Sequence, residues 1–295
     1  MEPPHPLAQS ATTPPVRPQG APISRSLILL AAGLGTRFGG PKQLQPVGPN
    51  DEPIFAISAA QARSAGIERL ILVTRAELEA PLREAAERFV PDMETVLVRQ
   101  DLAGPPRDKP WGTAHAVGAC ANVVDGPFGV ANGDDLYGDP SMQLLADGLS
   151  EDAHSGVLVG FPLAATLSHH GGVSRGICRV TDGWLDSVVE THGLVATPDG
   201  DVADGAGGRY APDATASMNL WGLPASAAQR MADGFERFLA DGPGPTDEYL
   251  LPTEVANMMA EGLTIRVVSS SGAWMGLTHR EDLPEVRAAL AAAPD

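Results

Sequence analysis

Residues Ser26 to Pro46 read SLILLAAGLGTRFGGPKQLQP, and this stretch decides what the rest of the chain must build. Leu27 to Ala32 is a continuous apolar run, long enough for one strand buried on both faces. It breaks into Gly33-Leu34-Gly35-Thr36-Arg37-Phe38-Gly39-Gly40-Pro41-Lys42, where glycines suit a loop whose backbone approaches a ligand closely. Successive N–H groups in such a loop can turn toward an anion, and Arg37 and Lys42 add positive charge. A strand running into a cationic glycine loop reads as a phosphate site. The spacing fits neither of the two commonest alternatives. A dinucleotide fingerprint needs G-x-G-x-x-G leading into a helix; here the third glycine falls one residue late and Gly40-Pro41 interrupts. A P-loop needs Lys-Ser/Thr directly after its last glycine; here Pro41 intervenes and Gln43 follows Lys42. A plain glycine turn leaves the two cations unexplained.

The composition points the same way. Of 20 basic residues only Lys42 and Lys109 are lysine, and both sit in Gly/Pro loops, where a compact point charge differs from the broad arginine fork. The net charge of -17 disfavours a nucleic-acid backbone or an anionic membrane as partner, but leaves room for a small phosphorylated ligand with a divalent cation. No apolar run reaches the ~18 residues of a membrane span. Residues 1–23 open with seven prolines in the first 22 positions and read as a disordered leader rather than a secretory signal. Cys120 and Cys178 lack metal spacing and read as reduced thiols in a cytoplasmic protein.

Beyond the loop, a helix is expected over 53–65, a strand over 68–74, a helix over 77–89 and a strand over 94–99. This alternation implies a parallel sheet with ligands gathered at the carboxyl ends of its strands. A Pro/Gly loop over 101–111 leads to Gly112-Thr113, with Thr113 as expected helix cap. His115 either faces solvent or sits satisfied in the core. A strand over 127–131 ends in Asn132-Gly133-Asp134-Asp135. Adjacent carboxylates there are costly without a cation, so Asp134 and Asp135 read as a magnesium site, against the plainer alternative of a helix cap or turn. After residue 150 the pattern turns antiparallel. Strands are expected over 155–163, 176–180, 184–190 and 217–223, with a turn at Thr181-Asp182-Gly183 and a mobile excursion over 191–213. Helices over 225–240 and 248–261, a strand over 264–269, a short segment over 273–278 and a last helix from about 280 complete the chain. This half is expected to hold a second substrate.

With these residues in place, the chain resembles the nucleotidyltransferases that make nucleotide sugars, the NDP-sugar pyrophosphorylases with a GT-A-like NTP transferase fold. The resemblance runs from about residue 26 to 290, and is nearest to a bacterial branch described as sugar-phosphate or NTP transferases. It rests on LAAGLGTRFGGPKQL, KPWGTAHAV, NGDD, WLDSVVE and SMNLWG. It implies an α/β fold: a Rossmann-like, three-layer, mostly parallel sheet with an added mixed or antiparallel sugar-binding region. A single domain would span 24–290, with a nucleotide-binding half over 24–150 and a sugar-binding half over 151–290. It implies that a sugar 1-phosphate attacks the α-phosphate of a nucleoside triphosphate and pyrophosphate leaves. Ala32, Gly33, Gly35 and Thr36 would hold the nucleotide phosphates, and Arg37 the leaving pyrophosphate. Lys42 would bridge the α-phosphate and the sugar phosphate, while Gly112 and Thr113 would contact the base. Asp134, with Asp135 beside it, would hold Mg2+, and Asn132, Glu190 and Asn219 the sugar. Two departures stand out. Ala273 to Thr278 offers no carboxylate where many members carry a second metal ligand; Thr278 is the nearest oxygen and Asp282 a more distant one. His192 stands two places after Glu190, where a lysine is common. Which base and sugar are used, and whether the chain self-associates, stay open. So do another phosphorylated acceptor and a non-catalytic nucleotide-binding regulator. A dehydrogenase is disfavoured by the glycine spacing.

Overall fold

The structure is a computed structural model and describes residues 24–33, 35, 38–168, 171–277 and 280–292. The expected leader, Thr36, Arg37 and Thr278 lie outside these described residues.

The apolar run forms β1 (Ser26–Leu30), and the chain then alternates as its periodicity requires. α1 (Ile54–Ser64), β2 (Arg69–Thr74), α2 (Ala76–Phe89) and β3 (Glu94–Arg99) follow, then α3 (Thr113–Gly118), β4 (Phe128–Asn132), β5 (Asp135–Leu136) and α4 (Asp139–Gly148). β1 pairs in parallel with both β2 and β4, and β2 with β3. Leu30 and Asn132 are register partners, so the glycine loop and the Asp134-Asp135 pair leave the sheet side by side. Consecutive β1 residues feed opposite cores. Leu27 and Leu29 pack with Phe55, Leu82 and Leu145 on one face. Ile28 packs with Val117, Met231 and Val255 on the other. Leu27, Ile28 and Leu29 are fully buried, each stabilising the fold by roughly 1.5–3 kcal/mol.

The second half continues the same sheet. It comprises β6 (Ser155–Pro162), β7 (Val173–Thr181), β8 (Trp184–Ala196), β9 (Val202–Ala203), β10 (Arg209–Tyr210) and β11 (Thr215–Leu223). α5 (Ser226–Ala240), α6 (Leu251–Ala260), β12 (Thr264–Ser269), β13 (Met275–Gly276) and α7 (Leu283–Ala292) complete it. β11 lies antiparallel between β4 and β6, and β12 is parallel to β6. The result is one mixed sheet of 11 strands among the described residues, rather than a mostly parallel one: parallel β3, β2, β1 and β4 continue through antiparallel β11 into the mixed remainder. The β7–β8 turn puts Asp182 and Gly183 at positive φ, 52° and 81°, as a two-residue hairpin with right-handed twist demands. The stretch over 191–213, expected as a mobile excursion, instead extends β8 and returns through β9 and β10. Its many Asp and Gly residues make local structure there: Asp204 accepts from the N–H groups of Ala206 and Gly208 at 2.9 and 2.7 Å, and Arg209 pairs with Asp199 and Asp201.

Candidate active site

The glycine loop closes on itself. Gly35 has φ 57°, and a Cβ there would lie 1.9 Å from the Gly40 carbonyl oxygen, so no other residue fits. The Gly35 carbonyl accepts from the N–H groups of Phe38, Gly39 and Gly40 at 3.0, 2.9 and 3.3 Å. Those three donors therefore shape the loop rather than fan toward an anion. Two side chains fix it to the core. Phe38 is buried with Val47, Ile54 and Leu136. Buried Gln43, the residue that breaks a P-loop pattern, donates to the carbonyl oxygens of Ala31 at 2.6 Å and Gly33 at 3.4 Å. An amide reaching back to the preceding strand is not visible in sequence spacing. Lys42 then lands with its Nζ 3.3 Å from Asp134 Oδ2, joining the two strand ends.

The two aspartates part company. The Asp134 side chain is 37% exposed, whereas Asp135 is buried. Asp135 Oδ2 accepts from Asn132 Nδ2 at 2.8 Å and from the Tyr137 hydroxyl at 3.4 Å. Burial, reinforced by the Asp134 charge, pushes the Asp135 carboxyl up to about 7. β13 pairs antiparallel with β5, placing Gly276 opposite Asp135, so the carboxylate-free segment does sit beside the acidic pair. No group of three or more His, Cys, Asp or Glu is placed to hold a metal among the described residues.

On the far side of the cleft, Gly112 has φ 118° and its backbone lies so close to Tyr249 that a Cβ would meet the Tyr249 carbonyl oxygen at 2.4 Å. Gly112, not Thr113, is the cap residue of α3. The Thr113 hydroxyl instead accepts from the Leu251 N–H at 2.9 Å, capping α6; the partner lies 138 residues away, beyond the reach of a local rule. His115 is buried and satisfied, with Nδ1 3.1 Å from Gln100 Nε2 and Nε2 3.0 Å from the Ala103 carbonyl oxygen. Burial lowers its pKa and favours the neutral ring.

These elements enclose two adjoining cavities. The first, about 490 Å3, is lined by Ala32, Gly33, Gly35, Gln100, Lys109, Gly112, Thr113, Asn132 and Glu248, among others. The second, about 390 Å3, is lined by Thr113, Asn132, Asp134, Asp135, Arg175, Glu190, His192, Asn219, Glu248 and Trp274, among others. The sequence-selected nucleotide residues within the described chain thus share the first cavity, and the sugar-selected residues the second. Asn219 is aimed by a bulge: the β11 register slips between Ser217 and Trp221 and Asn219 takes φ 59°. Its Nδ2 lies 3.4 Å from Asn132 Oδ1.

Arg175 was missed by sequence reasoning. Its Nε donates to the Thr166 carbonyl oxygen at 3.0 Å and its Nη1 to that of Ser174 at 2.8 Å. Its guanidinium lies 4.9 Å from the Trp274 ring centroid. Burial lowers its pKa against the raising pull of Asp135 and Glu190. Burial likewise raises Glu190, opposed by His192 and Arg175. His192 Nδ1 is 2.7 Å from the Ser174 hydroxyl. The expected strand over 176–180 stops one residue short of Arg175, which lies within β7, and its own neighbours carry no motif.

Comparison with known proteins shows what the chain is similar to. Residues 27–105 match the family described as MobA-like NTP transferase domain. The UTP–glucose-1-phosphate uridylyltransferase YngB of Bacillus subtilis (strain 168) is 29% identical over 199 residues, 59% of this chain and 63% of that protein. The chain therefore matches less than two thirds of that relative's length. Among solved structures, the UDP-glucose pyrophosphorylase from Acinetobacter baumanii superposes with TM-score 0.58 at 22% identity, covering 90% of this chain and 92% of that one. The inositol-1-phosphate CTP transferase from T. maritima superposes with TM-score 0.60 at 15% identity, covering 93% and 99%. Such identities carry the fold alone. Residues 27–105, with their glycine loop and the strand that feeds it, are thus similar to a MobA-like NTP transferase domain.

Proposed function

We propose that this chain is a magnesium-dependent nucleotidyltransferase that joins a nucleoside triphosphate to a sugar 1-phosphate, giving an NDP-sugar and pyrophosphate. The observation that carries this reading is the Lys42–Asp134 contact of 3.3 Å at the strand ends bordering two joined cavities. One is lined by glycine backbone, the other by hydroxyl-binding side chains. The α/β scaffold, with helices on both faces of its sheet, serves the site in a Rossmann-like manner.

The donor set suits Mg2+, which takes hard oxygens and is commonly held by one or two carboxylates plus substrate phosphates. Asp134 is the more accessible carboxylate, and Asp135, bonded by Asn132 and Tyr137, is the buried one beside it. When bound, the ion supplies charge neutralisation at the phosphates. The chain's own residues supply alignment. Ala32, Gly33 and Gly35 present the loop backbone to the nucleotide, and Gly112 and Thr113 face the base. Lys42 spans the α-phosphate and the acceptor phosphate, while Arg37 takes charge on the departing group. An anionic acceptor-phosphate oxygen forms a bond to the α-phosphorus as the bond from that phosphorus to the β-bridging oxygen breaks. Pyrophosphate leaves with the electron pair, and no base is needed because the nucleophile is already ionised. Asn132, Glu190 and Asn219 hold acceptor hydroxyls, and Arg175 and His192 balance the acidic residues around them. The free thiols Cys120 and Cys178 suit a reducing cytoplasmic setting, with burial pushing Cys178 up to about 12.

A matrix of nucleoside triphosphates against sugar 1-phosphates, read by pyrophosphate release with and without magnesium, tests the reading. One strongly preferred pair with an absolute magnesium requirement is expected. Release with no sugar phosphate but with a phosphorylated polyol or amino alcohol would move the acceptor class. The structural likeness to an inositol-1-phosphate CTP transferase motivates including those acceptors. Nucleotide binding with no release for any acceptor would leave a sensor.

A further inference from the structure

Three residues, Thr113, Asn132 and Glu248, line both cavities. Two of them also bond within the fold: Thr113 caps α6, and the Asn132 amide meets Asp135 and Asn219. Glu248 belongs to none of the motifs on which the site was read. It is carried in by the segment between α5 and α6, which is stitched over the 107–114 loop. Arg107 donates to the carbonyl oxygens of Asp247 at 2.8 Å and Pro245 at 2.5 Å, and stacks 4.3 Å from the Trp111 ring centroid. The Tyr249 N–H donates to the Trp111 carbonyl oxygen at 2.7 Å, and the Ala114 N–H to that of Tyr249 at 3.0 Å. Across this seam Lys109 Nζ lies 3.3 Å from Glu248 Oε2, with the Glu248 side chain 35% exposed. The chain's two lysines thus each meet a carboxylate at the cleft, one at the phosphate end and one at the seam.

Resting on the nucleotidyltransferase reading above, we infer that Glu248 is a specificity-determining residue that accepts hydrogen bonds from vicinal hydroxyls of a sugar ring at the junction of the two cavities, and that Lys109 is its positioning residue. An ionised carboxylate is acceptor-only, with two oxygens and about four lone-pair sites. Lys109 engages one oxygen from the rim, leaving capacity facing the cavities. The ligand groups that meet at this junction are the nucleoside ribose and the acceptor ring. Both present vicinal O–H donors, which a carboxylate takes as charge-assisted bonds. A merely structural rim pair would be worth little and would be indifferent to ligand hydroxyls.

The test uses the full chain and Glu248→Gln, which keeps shape and removes charge, with Glu248→Asp as a second variant should the first melt early. Affinities for the four ribonucleoside triphosphates and their 2′-deoxy counterparts are measured by calorimetry. Acceptor KM is measured with the preferred sugar 1-phosphate and its deoxy analogues. If the ribose is the source, Glu248→Gln weakens ribonucleotide binding about tenfold and erases the ribo-over-deoxy preference. If the acceptor is the source, acceptor KM rises about tenfold, deoxy analogues lose their penalty, and nucleotide affinity holds. Lys109→Met shifts the same parameter in the same direction by a smaller factor. Nucleotide affinity and acceptor KM both within twofold of wild type overturn the inference, as does an equal loss for hydroxyl-bearing and deoxy ligands. Wild-type binding that discriminates ribose without turnover of any acceptor counts against the transferase reading and not against Glu248.

Discussion

The two halves of the cleft are built by different means. In the half proposed to take the nucleotide, side chains and bare backbone come from loops that leave parallel strands at one end of the sheet, each loop contiguous in sequence. In the half proposed to take the acceptor, the residues come from neighbouring antiparallel strands. Gly176 on β7 faces Glu190 on β8, and Ser217 on β11. Asn219 is turned inward only by a bulge. The first arrangement concentrates chemistry in short motifs. The second disperses it over strands whose alternation says which face a residue takes, but not which partner it meets.

The largest expected effect tests the motif-built half. Lys42→Ala should cut turnover about a thousandfold, ~4 kcal/mol of transition-state stabilisation, because a preorganised charge at the transferring phosphate is lost. Nucleotide affinity should change much less, since the base cavity is intact. Pyrophosphate release and calorimetry on one preparation decide, and near-wild-type turnover would remove Lys42 from the chemistry.

A smaller effect tests the dispersed half. Asn219→Gly keeps a backbone that accepts φ 59° but deletes the amide, so acceptor KM should rise about tenfold with Tm unchanged. Asn219→Ala should lose the same contact and a further ~1 kcal/mol of stability, because a Cβ without a polar tip is disfavoured there. Equal melting of the two variants would mean that the bulge does not constrain the position.

The smallest effect tests the acidic turn that ends β4. Asp135 is held up to about 7 by burial and by Asp134, above its unfolded value of 3.8. The folded state therefore binds its proton more tightly than the unfolded chain. This contribution favours folding fully below about pH 4 and fades as pH rises through that window to about 7. Asp135→Asn cannot ionise, so in metal-free buffer its gain in Tm over wild type should be larger at pH 8 than at pH 5, by a few degrees at about 2–4 °C per kcal/mol. A gain independent of pH would show that Asp135 ionises freely.

Much of the first half was legible. Strand 94–99 matches β3 end to end, and the helices and strands around it shift by a residue or so, because apolar runs punctuated by Gly and Pro carry that information locally. The second half was legible as strands but not as a sheet. Nothing in 215–223 says that β11 enters antiparallel between β4 and β6 and joins the halves. The acidic, glycine-rich 191–213 stretch misled because composition alone does not reveal that Arg209 gathers Asp199 and Asp201.

By itself the sequence determined the glycine loop, the strand that delivers it and the acidic turn meant to face it, because these are properties of neighbouring residues. Tertiary structure alone decided that Asp135 is buried while the more exposed Asp134 meets Lys42. It also decided that Thr113 caps a helix 138 residues distant, and that Arg175 and Glu248 reach the cleft. Each of those outcomes depends on burial and on a partner remote in the chain. Desolvation and long-range hydrogen bonding act only once the backbone has closed.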